Sequence, residues 1–164
     1  MKRILTIVTL LALVISLAAC GGEEAPKSVQ MQAQEVYTQL SEKAVKSAML
    51  KLNEGLLLDL CGIRSEDVKQ AVVAICEDSL LTDEVWVVEA TDEAAAQRII
   101  ELAKNRLKKK GEESITYSPE QYAVVEKAQL LQNGSFVVLL VAPNVADLAA
   151  SLETVTGTTF QKVN

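Results

Sequence analysis

The sequence reads as an α+β domain: a four-stranded, mainly antiparallel sheet made of two ββα-like units, with helices packed on it and a long N-terminal helix before it. Three observations support this. First, Glu84 to Ala90 (EVWVVEA) and Ser135 to Ala142 (SFVVLLVA) are short and Val-rich, with no Gly or Pro inside, a composition that suits strands. Second, each follows another β-like run across a turn-like segment, which makes a hairpin. Third, each precedes an Ala-rich stretch with apolar residues three and four apart, one face of a helix. The halves repeat at an offset of about 52 residues, Ala90 corresponding to Ala142, a likeness of pattern more than of residues.

The chain opens on a basic Met1-Lys2-Arg3, and Ile4 to Ala19 follows without a charge. That run is shorter than the roughly 20 apolar residues a membrane-spanning helix needs and fits the core of a secretory signal. It ends Leu17-Ala18-Ala19-Cys20, the lipobox pattern: small residues before the Ala19–Cys20 bond, and a thiol after it that takes a diacylglyceryl group through a thioether. Residues 1–19 are therefore expected to be cleaved, with Cys20 the acylated first residue of a lipoprotein on the extracytoplasmic side of the cell membrane. One acyl chain holds a protein marginally and two hold it stably; a diacylglyceryl group supplies two. An uncleaved signal anchor with an ordinary cysteine is the weaker reading. Residues 20–30 read as the lipidated Cys and a flexible Gly- and Pro-containing tether, 31–156 as one domain, and 157–164 as a C-terminal tail.

Within the domain, Ala33, Val36, Leu40, Ala44, Ala48 and Leu52 predict one helix from about Val29 to Asn53, stopped by Gly55. Ser65-Glu66-Asp67-Val68 predicts a capped short turn. Ala71 to Cys76 and Glu84 to Ala90 form the first hairpin around an acidic loop. Thr91 is the expected cap of the next helix, with Asp92 and Glu93 in its first turn; Lys108-Lys109-Lys110 and Gly111 are expected to close it. Ser118-Pro119-Glu120-Gln121 opens a short helix, with Ser as cap and Pro at the first helical position. A strand near Ala128 to Gln132 leads through Asn133-Gly134, a strong hairpin turn, to the return strand Ser135 to Ala142. Asn144 caps a last helix carrying Val145, Leu148, Ala149 and Leu152.

Histidine is absent, which removes Ser-His-Asp and Cys-His catalysis and histidine metal sites. No Cys-x-x-Cys, Gly-x-Gly-x-x-Gly or phosphate-binding loop occurs, and no cofactor is expected. Glu77, Asp78, Asp83 and Glu84 crowd one loop; a solvated acidic loop is preferred over a carboxylate pair for hydrolysis or a Ca²⁺ site. Lys108 to Lys110 are expected to serve the helix C-terminus, ahead of contact with lipid headgroups. Tyr117 and Tyr122 are expected to pack their loop on the sheet, ahead of forming a binding platform. With Cys20 acylated, Cys61 and Cys76 remain. The compartment permits a disulfide, which would close a loop of about 15 residues for roughly 3 kcal/mol; two buried thiols acting as small hydrophobes is the favoured alternative. Losing Lys2 and Arg3 with the leader takes the formal charge from −6 to −8, against nucleic acid or anionic lipid as main partner. The Val-rich strands are apolar on both faces, so both faces need cover. The helices after the hairpins are expected on one face and the N-terminal helix on the other; failing that, an open face would mark a partner or dimer surface.

Asp83-Glu84-Val85-Trp86-Val87, Tyr117-Ser118-Pro119-Glu120-Gln121-Tyr122, Ala128 and Gly134-Ser135-Phe136-Val137 resemble the lipoprotein family described as domain of unknown function 4358, over roughly Leu57 to Leu152. The Pro-Glu-Gln-Tyr stretch and its spacing to the hairpin glycine are the most specific part. The resemblance implies an architecture of signal, lipobox, short tether and one α+β domain; it implies no activity and no catalytic residues. Trp86 stands where smaller residues are common in the family. The expectation is a membrane-anchored, non-catalytic protein-interaction or accessory module of the cell envelope, held by lipid at Cys20 and contacting a protein partner or a second copy. A small-ligand or cell-wall-fragment binder is the alternative, and a carboxylate-based hydrolase comes third. Cys20→Ala is expected to leave the precursor unprocessed, with the leader retained in the mass of the membrane-fraction protein.

Overall fold

Pairing of β-branched runs builds the sheet. The computed structural model describes residues 27–43 and 45–163; Ala19, Cys20 and the expected leader lie outside the described residues. Along the chain come α1 (Ala33–Lys43), β1 (Met49–Lys51), α2 (Glu54–Cys61), a 3-10 turn (Ser65–Asp67), β2 (Val68–Cys76), β3 (Glu84–Ala90), α3 (Glu93–Tyr117), α4 (Pro119–Glu126), β4 (Gln129–Asn133), β5 (Phe136–Val141), α5 (Val145–Thr156) and β6 (Gln161–Lys162). The strands form one sheet in the order β1-β2-β3-β5-β4-β6, and every pairing is antiparallel. The α+β class and both hairpins are as the sequence predicts.

β3 and β5 occupy the centre, registered from Glu84↔Val141 to Glu89↔Phe136. Successive side chains alternate between faces, so each strand feeds two cores. Val85, Val87, Val138 and Leu140 pack with Val36 and Leu40 of α1 and Leu148 and Leu152 of α5. Trp86, Val88, Val137 and Leu139 pack with Ile99, Ile100 and Ala103 of α3, joined by Ile63 and Val125. The helices that follow the hairpins thus lie on opposite faces, not on one as expected. Positions related by the 52-residue offset, such as Val85 and Val137, fall in opposite cores, so the halves share a sequence pattern but not an orientation. Both faces are covered within this chain, which removes an open sheet face as a partner surface.

The long N-terminal helix is corrected as well. α1 ends at Lys43, and Gly55 lies inside α2. Past Leu40 the next two positions of the stripe, 44 and 48, are alanines in the sequence, a residue type that offers little apolar area to hold a helix on a sheet. The chain instead pairs Met49-Leu50-Lys51 with Cys76-Ile75-Ala74 on the free edge of β2. Asn53 then caps α2, its Oδ1 accepting from Leu56 N at 3.0 Å.

α3 also departs from expectation. Its cap is Asp92, not Thr91, with Oδ1 accepting from Ala95 N at 2.7 Å. It runs through Lys108-Lys109-Lys110 and Gly111 to Tyr117. Lys108 and Lys109 approach Glu112 and Glu113 one turn on, which favours continued helix. Gly111 is where α4 packs close: a Cβ there would sit 3.7 Å from Tyr122 Cε2. The short turn at Ser65 is present, but Ser65 is its first residue, following Arg64 at the cap position.

The second hairpin turns one residue later than Asn-Gly suggests. Asn133 still pairs with Phe136, and Gly134, with φ 56°, starts the turn. No described non-glycine residue has a positive φ, so this is a turn with glycine in the first of two central positions. Within the expected tail, the described residues 157–163 join the sheet: β6 adds to the edge of β4, and Val163 N donates to Leu130 O at 2.8 Å. The sheet has six strands where four were expected.

Two glycines are expected to respond in opposite ways. Gly62 has φ 72°, and a Cβ there would lie 3.0 Å from Leu102 Cδ2; Gly62→Ala should cost about 1–3 kcal/mol. Gly111→Ala meets only ordinary contacts and should stabilise the helix by roughly 0.5–1 kcal/mol. Chemical denaturation of the two variants checks both signs.

Candidate functional site

The largest departure from the sequence reading lies at the start of β3. Glu84 was expected in a solvated loop; it is fully buried. Its Oε1 accepts from Trp86 Nε1 at 2.6 Å. Arg106 brings its guanidinium onto both carboxylate oxygens, Nε at 3.1 and 3.2 Å and Nη2 at 3.0 Å. Lys110 Nζ lies 3.0 Å from Oε2 and also donates to Thr82 O at 3.1 Å. The positions explain the meeting: Glu84 and Trp86 are two apart on a strand, Arg106 and Lys110 four apart on a helix, so each pair shares a face. Arg106 and Lys110 are themselves largely shielded, at 18 % and 14 % side-chain exposure.

Burial alone pushes the Glu84 carboxyl pKa up; the Arg106 hydrogen bond and the charges of Lys110 and Arg106 together outweigh it and hold the group below its ordinary value. The neighbouring Cys61 thiol goes the other way, pushed up to about 11 by burial and then by the Glu84 charge. Cys61 and Cys76 are both free, so the disulfide considered for them is not formed. A fully buried carboxylate whose two oxygens are taken up by Trp86, Arg106 and Lys110, beside a thiol held protonated, is poorly placed for proton transfer or nucleophilic attack. The cluster can act as an electrostatic strut.

What the strut fixes is the loop between β2 and β3. Lys110 holds Thr82 O from α3. Gln121, at the start of α4, accepts from Thr82 N at 2.9 Å and Thr82 Oγ1 at 3.0 Å. Ser118 Oγ caps α4 by accepting from Gln121 N at 3.4 Å, which leaves the Gln121 side chain to reach the loop. Asp83, also buried, accepts from Ser47 Oγ at 2.5 Å, and Glu77 N donates to Ala48 O at 2.9 Å. Asp78 Oδ1 accepts from Leu80 N at 2.9 Å. Of the four loop acids only Glu77 and Asp78 are exposed. Among the described residues no cluster of three or more acids and cysteines could hold a metal ion.

From this fastened loop Leu80 projects with 79 % exposure, beside the more sheltered Leu81. α3 has 25 residues, about 37 Å of helix, against roughly 23 Å for β3. It therefore overshoots the sheet, and its last residue, Tyr117, stands 87 % exposed at the loop end. Tyr122 instead lies over Gly111. Exposed Ile115 lines an open groove of about 420 Å³ between α3 and α4 with Leu107, Tyr122 and Val125. Exposed acids, Glu77, Asp78, Glu113 and Glu120, flank these apolar groups along the chain. From the sequence, Lys110 is expected to serve a helix C-terminus, Gln121 to open a helix, and Trp86 carries no role; Arg106 is not singled out at all. The usable signal was the spacing: Glu-x-Trp opening a strand, and Arg-x-x-x-Lys late in the next helix.

A family model described as a domain of unknown function (DUF4358) matches residues 30–142, a span that takes in Glu84, Trp86, Arg106 and Lys110. No curated protein and no solved structure matches the chain.

Glu84→Gln leaves two shielded cations without a counter-charge and should destabilise the domain by about 3–5 kcal/mol. Because folding lowers the Glu84 pKa from its ordinary 4.5, the stabilisation from ionised Glu84 is complete above that pH and lost as pH falls through the folded value. Denaturation of both proteins across this range should show the wild-type advantage shrinking only on the acid side.

Proposed function

The chain belongs to the DUF4358 family, and within it we propose a lipid-anchored, extracytoplasmic, non-catalytic module that works by protein contact. The charged start, the uncharged run and Leu17-Ala18-Ala19-Cys20 support the anchor. The observation that carries the contact reading is the loop end of the sheet, where Leu80, Leu81 and Tyr117 are exposed, the loop being tied down by Lys110 and Gln121 at the Thr82 backbone and by Ser47 at the Asp83 side chain. Single exposed apolar residues are ordinary; several large ones gathered at one end of a rigid frame are the form of a contact site. A preorganised loop also loses little entropy on binding.

Charge defines the partner. The acids beside the apolar groups, and a mature formal charge of −8, fit a protein with an apolar recess ringed by Lys and Arg. They disfavour an anionic bilayer or a second copy of this acidic end. With both sheet faces covered, the contact surface is an end of the domain rather than a face.

A photocrosslinking residue at Leu80, in lipidated protein in intact cells, is expected to yield one discrete adduct with another protein, weakened by Glu77→Lys with Asp78→Lys. The same residue at Thr154, exposed on α5, is expected to yield none. Absence of the Leu80 adduct, or an adduct of twice the chain mass, would overturn the proposal.

A further inference from the structure

At the opposite end of the sheet the chain enters the domain under restraint. Lys27 O accepts from Asn133 Nδ2 at 3.0 Å and from Thr158 Oγ1. Asn133 is only 6 % exposed, and its Nδ2 also reaches Thr159 O at 2.9 Å. Two residues on, Val29 is buried in the same core as Phe136. Gln70, near the start of β2, then accepts from Ala33 N at 2.8 Å. These contacts fasten the entering segment to the end where β3 finishes and β5 begins.

We infer that this β4–β5 hairpin end is the surface facing the bilayer, and that the Leu80 loop faces away from it. The inference rests on the lipid anchor proposed above and goes beyond it. Six residues lie between Cys20 and Lys27, seven steps of the chain and at most about 25 Å. If acyl chains hold Cys20 in the outer leaflet, the Asn133 clamp stays within that reach of the lipid. The Leu80 loop lies the length of β3 beyond, roughly 23 Å. The chemistry of the clamped end agrees. A groove of about 460 Å³ there is lined by Gln97, Gln132, Ser135, Thr159 and Gln161, with Glu93 the single charge in its lining. Amides and hydroxyls can exchange hydrogen bonds with hydrated headgroups, and this groove presents them with one acid in its lining, where the other end sets Glu77, Asp78, Glu113 and Glu120 beside its apolar groups.

Energy transfer tests the orientation. Lipidated protein with Cys76→Ser, Cys61 being buried, carries a donor at Ser135→Cys or at Leu80→Cys. It is placed in phosphatidylcholine–phosphatidylglycerol vesicles containing an acceptor lipid. Transfer is expected to be more efficient from position 135 than from position 80. Asn133→Ala should shrink that difference, as should a Gly/Ser insertion after Gly22, which leaves the folded domain untouched should Asn133→Ala fail to fold. Equal transfer, or more from position 80, in protein that stays with the vesicles would overturn the orientation alone. Protein that does not stay with the vesicles would sink the anchor and this inference together.

Discussion

Two neighbouring strands, β3 and β5, carry apolar side chains on both faces, and water can be allowed near neither. At about 25 cal/mol per Å² of apolar surface, an open face of Val, Leu and Trp would cost more than a domain of this size can spare. The architecture answers that demand twice: α1 and α5 close one face, α2, α3 and α4 the other. The outermost strands, β1 and β6, have three and two residues. Short edges offer little ladder for another chain to extend, so the sheet is closed across its faces and blunted at its sides.

Glu84 is the exception inside this apolar plan. A carboxylate opening a central strand must be desolvated, and Arg106, Lys110 and Trp86 together compensate it with hydrogen bonds and charge. Buried ion clusters of this kind are seldom more stable than well-packed hydrophobes of the same volume. The contribution here is geometric. Arg106 Nη1 also donates to Leu60 O at the end of α2 at 3.3 Å, and Lys110 also holds the loop at Thr82. The cluster around one carboxylate thereby touches the end of α2, ties α3 to the start of β3, and holds the β2–β3 loop. A hydrophobic replacement could fill the space but could not aim three elements at once.

Much of this fold can be read along the chain, because period-two and period-3.6 patterns report local structure directly. The four strands of the two hairpins, the Ser118-Pro119 helix start and the helix beginning at Val145 all stand near where the pattern puts them. What the pattern misses is decided by contacts distant in sequence. β1 forms because the edge of β2 is free to pair, which nothing between Lys43 and Asn53 announces. Gly111 looks like a helix stop until Tyr122 is seen to lie across it. The acidic loop looks solvated because Arg106 and Lys110, its true partners for Glu84, lie more than twenty residues away. The side assignment of α3 and α5 fails for a simpler reason: two strands alike in composition, antiparallel and adjacent, can present matching positions to opposite faces, and no count of residues along the chain reveals the parity.

The two ends of the sheet divide the remaining surface by chemistry. One receives the chain from its N-terminal side through buried amide and hydroxyl contacts and has a groove of amides and hydroxyls with the single acid Glu93 in its lining; the other presents leucines and a tyrosine among acids. On the proposed reading this polarity has an energetic consequence. A domain leashed to a bilayer meets other membrane-bound proteins at an effective concentration far above its bulk value, so a contact that would be too weak in free solution becomes populated. A patch as small as Leu80, Leu81 and Tyr117 is then enough, provided it points into the space where partners are found. The loop's rigidity and the Lys27 clamp serve the same end, because a leash raises local concentration usefully only when the tethered surface is turned the right way.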